Sequence, residues 1–301
     1  MLAISSYLVP FGDKVGGWLP LCSGIADLSS LATMPVLSGV LGVIFNVLII
    51  VSLLAVNTKS VHNAFNPNFT VSFFLMVLLM QPGAVYFSQV QLAVLLFVWG
   101  QYSFIAGKKF TPMFLLSCSA LCYAPLVWTL PLVWIISIFG AQDIPRVAVK
   151  SLGGILLPPL YLIAFRYLVF HDTLDFVETF MHHAADFANP FHDMDYPDMF
   201  LAICIIAVTL HAISYIVANL YKNSIVTEHL LKMELMSVVL GFVVVLLFGG
   251  NQDVPASMLV ALPVSMILSY YFTKNITTAT ARGELFMLCC AAVIARISCF
   301  V

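Results

Sequence analysis

The densest chemistry in this 301-residue chain lies in one polar stretch, HDTLDFVETFMHHAADFANPFHDMDYPD, residues 171–198. It holds seven of the fourteen acids and four of the seven histidines, and no Lys or Arg. Read at 3.6 residues per turn, His171, Asp175, Glu178, His182 and Asp186 share one stripe. Leu174, Val177, Met181 and Ala185 share an apolar one, widened by Phe176, Phe180 and Phe187. The i,i+4 pairs His171–Asp175 and Glu178–His182 set carboxylate beside imidazole, a donor set suited to a divalent cation such as Zn²⁺ or Mn²⁺. Adjacent His182 and His183 point ~100° apart, so one helix cannot aim both at a single ion. A charged stripe facing water accounts for the same pattern without a ligand.

Four further places could carry chemistry. Asp27, in Gly24-Ile25-Ala26-Asp27-Leu28-Ser29-Ser30, could act as a base toward an acceptor hydroxyl; it equally reads as a helix N-cap. Arg166 and Arg296 stand inside apolar runs, where a guanidinium costs roughly 2.5–3.5 kcal/mol at the bilayer centre and less near its surface. Snorkelling, pairing with acids, or a bidentate grip on a lipid phosphate would offset that cost. His211, mid-way along another apolar run, reads as a hydrogen-bonded core histidine. A proton relay there would need an acidic partner at the same depth, and the linear sequence shows none. Asn46 reads as an interhelical hydrogen bond, and Gln89 and Gln91 as residues that could face a polar cleft.

The elements that must position these groups are membrane helices. Hydrophobic residues make up 62% of the chain and charged ones 9%, against roughly 25% charged in a soluble domain, so lipid is the better solvent for this surface. Apolar runs able to enter or cross a ~30 Å hydrocarbon layer fall at 33–56, 69–81, 87–106, 111–122, 125–140, 149–170, 199–220, 233–249, 255–272 and 284–300. Several are short enough to be re-entrant. The net charge of −2 and the absence of a basic aromatic patch give no sign of a nucleic-acid partner. Six of the seven cysteines lie in apolar runs, which is no disulfide framework; Cys118 and Cys122 share a helix face and read as packing residues.

Charge alternation sets the expected topology. Nine of the twelve basic residues (Lys59; Lys108 and Lys109; Arg146 and Lys150; Lys222 and Lys232; Lys274 and Arg282) fall in alternate connections. The intervening connections 82–86, 123–124, 171–198 and 249–254 contain none, as the positive-inside rule requires. The reading places the basic loops in the cytoplasm and the 171–198 loop in the periplasm. Residues 1–32 then form an outer segment without a signal-peptide pattern, expected either to insert as a hairpin with the first span or, the reading preferred, to follow a further helix upstream. Arg166 and Arg296 fall in the outer third of their helices.

Residues 63–138 and 256–295 resemble a family of polytopic inner-membrane proteins of Bacteroidota. The likeness rests on Pro-ended short helices and on the run Ala261-Leu262-Pro263-Val264-Ser265-Met266-Ile267-Leu268-Ser269-Tyr270-Tyr271-Phe272. That family brings no activity with it. A more distant likeness is to GT-C glycosyltransferases, in the order Pro82, Tyr86, Ser88, helix, basic turn, short helix, Pro125, helix. It implies transfer of a sugar from a polyprenyl-phosphate donor in envelope glycan synthesis, with the catalytic acid in the first outer loop; Asp13 and Asp27 are the acids of residues 1–32.

The expectation is therefore an all-α, polytopic integral membrane helix bundle of about ten segments. It forms a single domain over 1–301 in a bacterial inner membrane, with an outer amphipathic helix near 172–188. Three functions compete. The first is a GT-C-like protein with Arg166 and Arg296 on phosphate, and Asp27 or the 171–198 acids as base or ligands for a divalent cation. The second is a non-catalytic scaffold for other membrane proteins. The third is a transporter, against which the scarcity of intramembrane charge and the lack of a visible inverted repeat both count.

Overall fold

The computed structural model describes residues 35–60, 65–78, 87–139, 143–171, 174–185, 196–223, 225–248 and 257–297. Eleven α-helices run through them, with no strand among the described residues: α1 Pro35–Ser60, α2 Pro67–Leu78, α3 Gln89–Ile105, α4 Phe110–Cys122, α5 Thr129–Phe139, α6 Ile144–Phe170, α7 Leu174–Ala184, α8 Tyr196–Asn219, α9 Ile225–Phe248, α10 Ser257–Asn275 and α11 Ala279–Ile297. Short 3-10 turns at Ala124–Trp128 and Leu220–Lys222 complete the path. A helix stands at each of the ten expected apolar segments, and α7 at the amphipathic one. Four are long and apolar enough to cross a membrane: α1 over Val36–Val56, α6 over Ile144–Val169, α8 over Tyr196–Asn219 and α9 over Leu230–Leu247. Asp27, in residues 1–34, lies outside the described residues.

The chain packs as two compact units. Unit one comprises Met1–Ser52 and Val85–Phe187; unit two comprises Leu53–Ala84 and Ala188–Val301.

In unit one, α4 is held between α3 and α6. Small residues let the backbones close in, as is usual where lipid gives no hydrophobic drive between helices. A Cβ at Gly154 of α6 would lie 2.7 Å from the Phe110 carbonyl oxygen and 3.0 Å from Met113 Cβ. Two serines of α4 add cross-helix bonds: Ser119 Oγ donates to the Ala93 carbonyl at 2.7 Å and Ser117 Oγ to the Ile155 carbonyl at 2.7 Å. The second follows from the sequence of α6. Pro159 has no N–H to offer the carbonyl four residues back, so the Ile155 oxygen is left to a neighbouring helix. The turn from α3 to α4 is made by Gly107 at φ +76°, whose N–H bonds to Phe104 O, with Lys108 N–H reaching Ser103 O. Gln89 and Gln91 are buried rather than facing a cleft; Gln91 accepts the Ser88 N–H and donates to the Gly42 carbonyl of α1. Asn46 is fully buried on α1. Cys118 and Cys122 sit half-buried and buried on α4.

The amphipathic helix α7 is docked on unit one. Phe180 packs on Leu121 and Leu162, and Trp128 Nε1 donates to the carbonyl of Ala184 at 2.7 Å, occupying an acceptor that the helix end leaves open. Val177, Met181 and Ala185, from the apolar stripe, remain exposed.

Unit two is organised around α10, which packs against α2, α8 and α9. Every residue of α10 from Ser257 to Phe272 is buried. Phe272 stacks on Phe73 of α2 at 5.1 Å. The start of α2 is pinned twice: Asn66 N–H donates to Thr273 Oγ1 at 3.1 Å, and Ser269 Oγ donates to Asn66 O at 3.0 Å. Asn66 also caps α2, its Oδ1 accepting the Asn68 N–H ahead of Pro67 at the first helical position. Helix α11 lies against α8.

Candidate functional site

The chemistry of unit two gathers where α8, α10 and α11 meet. His211 of α8 and Tyr215, one turn further, share a face. Tyr271 stands near the end of α10 and Glu284 near the start of α11, five residues past Ala279. His211 Nδ1 and Glu284 Oε1 are 2.5 Å apart, and the Tyr271 hydroxyl donates to Glu284 Oε2 at 2.8 Å. Both carboxylate oxygens are thus engaged. The Tyr271 hydroxyl is also 3.4 Å from His211 Nδ1. The ring of Tyr271 lies edge-on to His211 at 5.4 Å and to Tyr215 at 5.5 Å, which holds the phenol over the pair.

The side chain of His211 is 50% exposed and that of Glu284 only 20%. The carboxylate is therefore the sheltered member and the imidazole the accessible one. A histidine bonded to a carboxyl and a phenol has the parts needed to accept and pass on a proton. Adjacent Tyr270 points elsewhere, since neighbours on a helix diverge by ~100°. It donates to Asn223 Oδ1 at 2.5 Å, and Asn223 Nδ2 in turn bonds the Asn219 and Leu220 carbonyls at the end of α8. Consecutive tyrosines of α10 thereby tie down both the polar pair and the turn that follows α8.

Glu284 is the acidic partner that the linear sequence did not show for His211. They are 73 positions apart on different helices, so no local spacing pairs them. A signal was present: Glu284 opens one apolar run, His211 lies in another, and the charge alternation brings both toward connections carrying Lys222, Lys274 and Arg282.

The residues singled out from sequence are distributed otherwise. His171 ends α6 in the left-handed conformation, φ 54°, with its ring edge-on to Tyr167 at 6.2 Å. Glu178 and His182 are exposed on α7. Asp175 belongs to α7, but its side chain lies outside the described residues, as does Asp186. Among the described residues no group of three or more His, Cys, Asp or Glu stands close enough to hold a metal ion. Arg166, near the end of α6 in unit one, and Arg296, near the end of α11 in unit two, are half-buried with Nε shielded from solvent.

The fold defines an all-helical protein with several helices able to cross a bilayer, the class of multi-pass membrane proteins. No family model, curated protein or solved structure matches this chain.

Proposed function

We propose that this chain is a proton-coupled transporter of a bacterial inner membrane, with the His211–Glu284–Tyr271 cluster as its proton-exchange site. Ten membrane segments would carry it, with the basic connections facing the cytoplasm. The observation behind this reading is the contact of a histidine and a carboxyl from two different helices, the histidine half exposed. Ionisable side chains among membrane helices are costly to insert, and where they occur in pairs they mark ion or proton pathways by default. The cluster also supplies the acidic partner that a proton relay at His211 requires.

The test is reconstitution of the purified protein in vesicles with a trapped pH-sensitive dye. A potassium diffusion potential is imposed and pulses of amino acids, sugars and dicarboxylates are added. Proton entry that depends on one solute class, and that falls to the protein-free level in Glu284→Gln and His211→Ala, is the expected result. Wild-type protein indistinguishable from empty vesicles with every solute would sink the reading.

A second reading keeps the likeness to GT-C enzymes. In it Arg166 and Arg296 are each, separately, a candidate to hold the phosphate of a polyprenyl-linked sugar, with Asp27 or the acids of 171–198 as candidate base or cation ligands. Its support is the partial burial of each arginine, with Nε shielded from solvent. Loss of envelope glycan synthesis in Arg166→Ala, with Glu284→Gln silent, would move the assignment there. Tolerance of every one of these substitutions, with loss of function only when exposed apolar surface is altered, would identify a scaffold for other membrane proteins.

A further inference from the structure

A second carboxyl in unit two lies apart from the cluster. Glu234 is in α9, nine residues past Ile225, and only 2% of it is exposed. Its Oε2 is shielded from solvent and meets no hydrogen-bond donor among the described residues. One turn before it on the helix stand Leu230 and Leu231, both fully buried, and one turn after it Val238, buried as well. Ser237, also one turn after it, is buried and polar, and apart from that hydroxyl the adjoining turns of this face are apolar.

No cation reaches it from any described neighbour. On α9, Lys232 is paired with Glu228 at 2.6 Å, and two positions along a helix turn a side chain ~200° away from Glu234. The side chain of His229 lies outside the described residues. From α10, the packed neighbour, Tyr270 donates to Asn223, Tyr271 donates to Glu284, and Lys274 is exposed. From the turn Leu220–Lys222, Tyr221 is exposed, and the side chain of Lys222 lies outside the described residues. Buried to this degree and with no counter-charge among the described residues, an ionised carboxylate is in a state that proteins avoid by neutralising the group. A bound metal ion would need several further ligands, and no such group of side chains stands together among the described residues.

Its depth is also informative. Glu234 is nine residues, ~13 Å, from the start of α9, and His211 is eight residues, ~12 Å, from the end of α8. The two helices join at the turn Leu220–Lys222, and α10 packs against both. Glu234 and His211 therefore sit at similar depth below one connection, on two different neighbours of the same buried helix.

We propose that Glu234 is a proton-binding site within the helices of unit two, its carboxyl held in the neutral, protonated form. The ligand is a proton rather than a metal cation, and the site stands whether or not His211 and Glu284 exchange protons with a solute.

The test uses the purified full chain in lipid, treated at neutral pH with dicyclohexylcarbodiimide, which reaches protonated carboxyls in apolar surroundings. The acid proton passes to a carbodiimide nitrogen while the carboxyl oxygen bonds the central carbon; the acyl group then migrates to nitrogen, leaving a stable N-acylurea. Peptide mass spectrometry is expected to find the adduct on Glu234 and to find none at that position in Glu234→Gln. The infrared difference spectrum, wild type minus Glu234→Gln, is expected to show the C=O stretch of a carboxylic acid. Carboxylate bands in that spectrum, or no adduct on wild-type Glu234, would overturn the proposal. So would labelling that sodium chloride suppresses and potassium chloride does not, because the ligand would then be sodium.

Discussion

The bond between Ser117 and the Ile155 carbonyl offers the sharpest test of how unit one is held together. Pro159 removes the N–H that would otherwise bond that carbonyl within α6, and Ser117 of α4 supplies the missing donor at 2.7 Å. Ser117→Ala leaves a partly buried acceptor without its partner. Such a loss costs about 1–3 kcal/mol in soluble proteins, whereas cross-helix bonds in a membrane protein average ~0.6 and reach ~1.7 kcal/mol. A cost of about 1 kcal/mol, roughly a fivefold drop in the folded-to-unfolded ratio, is the expectation. Pro159→Ala restores an N–H one turn after Ile155, so in that background the same serine substitution should cost little. The double-mutant cycle, run by equilibrium unfolding in mixed micelles with tryptophan fluorescence as the readout, should give a coupling near 1 kcal/mol. If the two substitutions are additive within about 0.3–0.5 kcal/mol, the serine does not serve the proline and the reasoning fails.

Four other substitutions have outcomes that can be checked. Gly154→Ala places a methyl group 2.7 Å from the Phe110 carbonyl, so α4 must move; the expected cost is about 1–3 kcal/mol, outweighing the ~1 kcal/mol gained in helix propensity. Gly283→Ala meets nothing within 4 Å and should raise the melting temperature, with a gain of about 0.5–1 kcal/mol, so the two glycines should shift it in opposite directions. Trp128→Phe removes the indole N–H from the Ala184 carbonyl and should speed hydrogen exchange across Leu174–Ala184 while sparing α4; equal protection in both proteins would show that α7 is held by Phe180 alone. Tyr271→Phe should lower stability by about 1 kcal/mol through the lost bond to Glu284, and an unchanged unfolding midpoint would mean that the phenol does not donate there.

The class of this protein was legible before any coordinates. With 62% hydrophobic and 9% charged residues, segment length and apolarity alone locate helices, because backbone groups in lipid must bond within their own helix. Each expected apolar segment is a helix, and 174–184 forms the amphipathic one. The apolar pattern passed over two local signals, Asn66-Pro67 at a helix start and Pro158-Pro159 as a break in a helix's own hydrogen bonding. The pairing of distant groups was not legible. His211 and Glu284, Ser117 and Ile155, Trp128 and Ala184 meet only because particular helix faces turn toward one another. Uniformly apolar helices carry little periodic signal to say which face that is. In water, an amphipathic stripe announces the buried side; in lipid both sides are apolar, so close packing and a few hydrogen bonds choose the partner, and that choice exists only in the folded chain.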